Sequence, residues 1–118
     1  MRFLGILLVI LVLTVAMPHA TSAEPAAAAT IVRADISFFR YKPGRLQVQV
    51  GTRVQWTNKD SAPHSVTHGT AARPGTAFDS GLFARGKSWA YTFKKAGVYS
   101  YYCSIHPTMV GTVRVVAR

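Results

Sequence analysis

The chain contains a single cysteine, Cys103, so no disulfide can form within it. It is also poor in acid, with four Asp and Glu against fourteen Lys and Arg and a formal net charge of +10. No window carries a sustained helical stripe of apolar residues. The longest apolar run, Phe3 to Met17, falls short of the roughly 20 residues that a membrane-spanning helix needs. These absences set aside a disulfide-stapled scaffold, a helical bundle and an integral membrane protein. No Arg-Arg pair precedes the apolar run, which argues against a twin-arginine export signal. No cysteine lies near its end, which excludes a lipid-anchored mature terminus.

What is present at the start has the order of a secretory signal: Met1-Arg2, an apolar stretch, then Pro18 and the small residues Ala20-Thr21-Ser22-Ala23. The expected organisation is a cleaved Sec-type signal peptide over 1–23, an Ala-rich lead-in over 24–30 and one domain over 31–118. Location in the periplasm, or export otherwise, follows from it, and with signal cleavage no membrane span remains. Only Arg2 leaves with the signal, so thirteen basic residues face four acids and the mature charge is about +9. That excess favours acidic partners and makes association salt-sensitive. Outside the cytoplasm nucleic acid is not an expected partner.

From Ile31 onward the sequence has period two. Leu46, Val48 and Val50 alternate with Gln47 and Gln49. Val54 and Trp56 alternate with Arg53, Gln55 and Thr57, and Trp89, Tyr91 and Phe93 with Ser88, Thr92 and Lys94. Each run suits a strand with one buried face. Turn residues separate the runs at Lys42-Pro43-Gly44, Gly51-Thr52, Asn58-Lys59-Asp60, Arg73-Pro74-Gly75, Arg85-Gly86-Lys87 and Ala96-Gly97. The pattern predicts an all-β fold, an antiparallel Greek-key β-sandwich of about seven to eight strands. Gly69 to Phe83 is the least regular stretch and reads as a long loop with a short strand or turn of helix.

The lone thiol is the residue that needs explaining. In "YYCSIHPTM" Cys103 is followed by His106 and Met109, a thiolate, an imidazole and a thioether at intervals of three. Taken singly, each is more often a core or turn residue than a ligand. Placed together at a strand end, they read as a metal site, provided the segment turns, which Pro107 assists. A fourth ligand must come from elsewhere, and His64 in "NKDSAPHSV" is the candidate. Thiolate and thioether suit Cu(I), imidazoles suit Cu(II), and a trigonal His₂Cys set with a weak axial Met is the blue-copper arrangement. Structural zinc makes little use of a thioether. One copper ion cycling between Cu(I) and Cu(II) is the expected cofactor. His68 lies on the same strand face as His64 and is read as a polar residue near the site mouth, while His19 leaves with the signal.

The segments "VQWTNKDSAPHSV", "AGVYSYYCSIHPTM" and "VGTVRVV" together resemble the cupredoxins, the small blue-copper proteins. The Cys-x2-His-x2-Met interval is similar to that of the amicyanins, and the tyrosine-rich approach to the cysteine to that of the plastocyanins. The resemblance implies that His64, Cys103 and His106 form the equatorial plane and Met109 the axial contact. It implies an electron route through the surface edge of His106, ringed by Pro63, Pro107, Ile105 and Val110, and a second beside Tyr102. Asn58 would tie the His64 turn to the ligand loop. Two features depart from the pattern: Ser65 stands where those relatives carry Asn, and the acidic docking surface of plant plastocyanins is absent.

The implied function is one-electron carriage between redox partner proteins of acidic surface, by a monomer that is not an enzyme. The alternative is a copper-binding module for periplasmic buffering or delivery. A thiol enzyme using Cys103 with His64 or His106 as base is a third reading; it would leave the thiol open to alkylation in a metal-independent turnover.

Overall fold

The structure is a computed structural model that describes Gly5, residues 9–22 and residues 30–118. The expected cleavage position after Ala23 and the lead-in up to residue 29 lie outside the described residues. No helix among the described residues is long and apolar enough to cross a membrane.

Among the described residues nine strands follow one another: β1 Ile31–Ser37, β2 Arg40–Lys42, β3 Arg45–Gln49, β4 Arg53–Asn58, β5 Thr67–Gly69, β6 Pro74–Asp79, β7 Ser88–Thr92, β8 Gly97–Cys103 and β9 His106–Val116. They form a four-stranded sheet in the order β2-β1-β4-β7 and a five-stranded sheet in the order β3-β9-β8-β5-β6. The two layers enclose one core. The period-two pattern explains which side chains fill it: in β4, Val54, Trp56 and Asn58 are buried while Arg53 faces solvent. In β9, Met109, Val113 and Val115 point inward in the same way, with Gly111 buried between them. Val54, Trp56 and Ile36 from the first sheet share the cluster with Val48, Tyr101, Cys103 and Val113 from the second.

One expectation is corrected. The sheets are mixed, because β1 runs parallel to β4 and β3 parallel to β9. The chain leaves the first sheet after β2, spends β3 on the second, then returns beside β1 in the same direction. Alternation reports which face is buried and is silent about the neighbour's direction, so it could not reveal this. The short strand expected within Gly69 to Phe83 is β6, six residues at the edge of the second sheet.

Aromatic side chains from both sheets lock together in the core. Tyr101 is fully buried, and its hydroxyl accepts a hydrogen bond from Trp56 Nε1 at 3.3 Å. Its ring meets Tyr41 edge-on at 4.7 Å. Opposite it in the β8–β9 ladder stands Gly111, where any Cβ would overlap the Tyr101 ring. That glycine is required by space and not by backbone conformation.

Candidate metal centre

Cys103 closes β8 and His106 opens β9, and the two are paired across a hairpin whose turn is Ser104-Ile105. The register shifts at Tyr102/Cys103, which ends the regular ladder just where the donor atoms are needed. Pairing brings the two side chains together: Cys103 Sγ lies 3.7 Å from His106 Nδ1. Met109 does not sit on a loop but in β9, buried in the same cluster as Cys103.

His64 arrives from the other side of the chain. It forms an isolated bridge with Phe83, its N–H donating to Phe83 O at 3.3 Å and its carbonyl accepting from Phe83 N at 2.9 Å. Asn58 shapes the preceding turn. Its Nδ2 donates to Ala62 O and Phe83 O, and its Oδ1 accepts from Asp60 N. Asn58 therefore ties the His64 turn to the segment bearing Phe83, and not to the ligand loop as the resemblance implied. His64 Nδ1 ends 3.8 Å from Cys103 Sγ.

Donor atoms of His64, Cys103 and His106 all lie within 4.8 Å of one another. A first-row ion about 2.0–2.1 Å from each imidazole nitrogen and about 2.3 Å from the sulfur, in a trigonal plane, needs N···S separations of about 3.8 Å. The two observed values, 3.8 and 3.7 Å, match that requirement without rearrangement. His64 and Cys103 are fully buried and His106 is half-buried. A thiol with no exposure has no access to a substrate, which disfavours the enzymatic reading on steric grounds.

Ser65 supplies the link between the two ligand segments. Its N–H donates to Cys103 Sγ at 3.4 Å, which stabilises negative charge on the sulfur. Its hydroxyl accepts from Ser104 N at 2.9 Å and also pairs with Thr67 Oγ1 at 2.8 Å and Ser104 Oγ at 3.2 Å. One hydroxyl with one donor and two lone pairs thus serves three partners.

Three residues of the site escaped sequence reasoning. Phe38 and Phe39 form the two-residue turn between β1 and β2, both at positive φ, 52° and 56°. Such a turn favours Asn-Gly, so nothing in the pair announced it. Phe39 packs edge-on against His64 at 5.1 Å and against His106 at 4.9 Å, forming the wall over the two imidazoles. Asp60 accepts from Phe38 N and Phe39 N, each at 2.8 Å, and contacts His64 Nε2 at 2.9 Å. Burial acts to raise its carboxyl pKa, but the Phe39, His64 and Phe38 hydrogen bonds and the His64 charge together bring it below the usual value. The Asx-like "NKD" turn was visible in sequence; its reach to β1 was not.

His68 is not at the mouth. It lies in β5, accepts a hydrogen bond from Ala77 N on Nδ1 and packs against Phe78 and Tyr99. Tyr102 is buried, opposite Thr67 and Val110 in its two ladders. Pro63, Ile105, Pro107 and Val110 are exposed.

A family model described as copper binding proteins, plastocyanin/azurin family, matches residues 28–116. Amicyanin of Paracoccus denitrificans is 34% identical over 94 residues, covering 80% of this chain and 70% of its own. Plastocyanin of Prochlorothrix hollandica is 31% identical over 114 residues, covering 89% and 87%. Among solved structures, a purple cupredoxin from Nitrosopumilus maritimus has a TM-score of 0.67 at 34% identity, over 71% of this chain and 98% of that one. A reduced amicyanin variant has a TM-score of 0.66 at 30% identity, over 77% and 87%.

Proposed function

The chain belongs to the plastocyanin/azurin family of copper-binding proteins, and on that footing we propose that it is an exported one-electron carrier. His64, Cys103, His106 and Met109 are the residues that would hold the copper. The observation that carries this reading is the near-equal approach of two imidazole Nδ1 atoms, 3.8 and 3.7 Å, to one buried sulfur. Copper supplies a Cu(I)/Cu(II) couple there.

The chain's own residues keep the donor atoms where both oxidation states accept them. The β8–β9 pairing, the His64–Phe83 bridge and the Ser65 hydrogen bonds fix the donors before metal arrives, so little rearrangement accompanies a change of charge. His106, half-buried between Phe39 and solvent, is the route by which the electron enters and leaves. Residues 1–23 act as the signal peptide, 24–30 as a lead-in and 31–118 as the copper domain, which works as a monomer. The positive charge selects acidic redox proteins as donor and acceptor.

The test is a visible spectrum of the purified mature protein after Cu(II), repeated after a reductant. An intense thiolate-to-copper band that bleaches and returns is expected, with its loss in Cys103→Ser. A copper-loaded protein lacking that band, or a band surviving in Cys103→Ser, refutes the assignment. Slow electron self-exchange with ready copper transfer to an acceptor protein would favour buffering or delivery instead.

A further inference from the structure

We propose that Asp60 is a positioning residue that locks the His64 ligand and the Phe38–Phe39 turn into one unit, setting the copper centre's outer wall and its reduction potential. The inference rests on the copper reading above and adds a residue to it.

The carboxylate takes three N–H donors from two distant parts of the chain. Oδ1 accepts from Phe38 N, while Oδ2 accepts from Phe39 N and from His64 Nε2. With Nδ1 of His64 turned toward Cys103 Sγ, the ring proton belongs on Nε2, and Asp60 fixes that tautomer and the ring plane together. Asp60 is itself held, because its N–H donates to Oδ1 of the fully buried Asn58.

The turn depends on the same group. Left-handed conformations at two consecutive phenylalanines are unfavourable for residues with a Cβ. Phe38 is 79% exposed, so burial of its ring cannot be what holds the turn. Two charge-assisted hydrogen bonds to adjacent amides can. Once held, the turn sets the Phe39 ring edge against both imidazoles, including the half-buried His106 through which the electron passes. The Asp60 side chain is only 13% exposed, so its charge is incompletely screened and bears on the ligand it touches.

Asp60→Asn keeps the shape, removes the charge and leaves one acceptor oxygen for three donors. In the copper-loaded protein the visible band persists and the reduction potential rises, because a negative charge beside His64 favours Cu(II) over Cu(I). In the metal-free protein, amide hydrogen exchange at Phe38 and Phe39 accelerates about tenfold or more. Phe38→Gly, at the exposed positive-φ position whose ring touches neither imidazole, adopts that conformation freely and separates the two roles: in the Asp60→Asn background it restores stability but leaves the potential high. An unchanged potential in Asp60→Asn overturns the proposal, and so does a stability loss that Phe38→Gly repairs together with the potential. Absence of the band in the parent protein would sink the copper assignment alone, since the exchange measurement needs no metal.

Discussion

Ser65→Ala removes the hydroxyl that joins the His64 segment to the ligand hairpin, and its cost can be worked from its partners. The oxygen has three contacts: Ser104 N at 2.9 Å, Thr67 Oγ1 at 2.8 Å and Ser104 Oγ at 3.2 Å. Thr67 keeps its bond to Asp79 and Ser104 Oγ can turn to water, so those two losses are partial. The Ser104 amide is part-buried and loses its acceptor outright. About 1 kcal/mol for that donor and about 0.5 kcal/mol for each of the others gives a loss of about 2 kcal/mol. For a domain stable by roughly 5–15 kcal/mol that is a measurable share. Urea unfolding of the metal-free protein reads it directly, as a lower midpoint with an unchanged slope. A Ser65→Ala/Ser104→Ala cycle should show a coupling of about 0.5 kcal/mol or more. A loss under about 0.5 kcal/mol would show that the hydroxyl does not tie the segments, whereas strict additivity with Ser104→Ala would remove only the Oγ–Oγ contact from the sum, since that variant keeps the Ser104 amide.

Gly111→Ala places a methyl group into the Tyr101 ring, which Trp56 and Tyr41 prevent from moving; a loss of about 1–3 kcal/mol is expected, seen as a fall in Tm of at least about 5 °C. Burial pushes the Tyr101 phenol up to about 12 against a lowering by the Trp56 hydrogen bond, and burial, then the nearby Cys103 and Tyr101 charges, push Tyr41 higher still. Below pH 10 both states keep the protons. Between pH 10 and 12 the unfolded chain releases them while the fold holds them, so stability falls as pH rises, by about 3 kcal/mol from Tyr101 alone. Chemical unfolding at stepped pH checks this, and a flat profile across that window would refute it. Met109→Leu should keep copper and raise the reduction potential, because losing a weak thioether donor disfavours Cu(II); voltammetry showing no change would remove Met109 from the axial position.

Legibility differed between the parts of the site. Cys103, His106 and Met109 stood out because one hairpin carries all three, and local spacing alone brings them close. His64 was found because a second imidazole was required and "APHSV" sat at a strand junction. Phe39 and Asp60 were illegible for the opposite reason. They meet His64 and His106 through a turn whose conformation contradicts its residues, and only a carboxylate 21 residues away in sequence makes that turn tolerable. Ser65 looked like a weaker substitute for Asn until its three partners were in place.

The amino-acid sequence by itself determined the all-β character, the buried faces of the strands and the donor set, hence the preference for copper, because these depend on residue type and short-range periodicity. The tertiary structure alone decided the parallel β1–β4 and β3–β9 pairings, the place of Asn58 and His68, and the Asp60 clamp. Each of these is a choice of distant partner, and a chain's local pattern fixes what a side chain needs without fixing which remote group will meet that need.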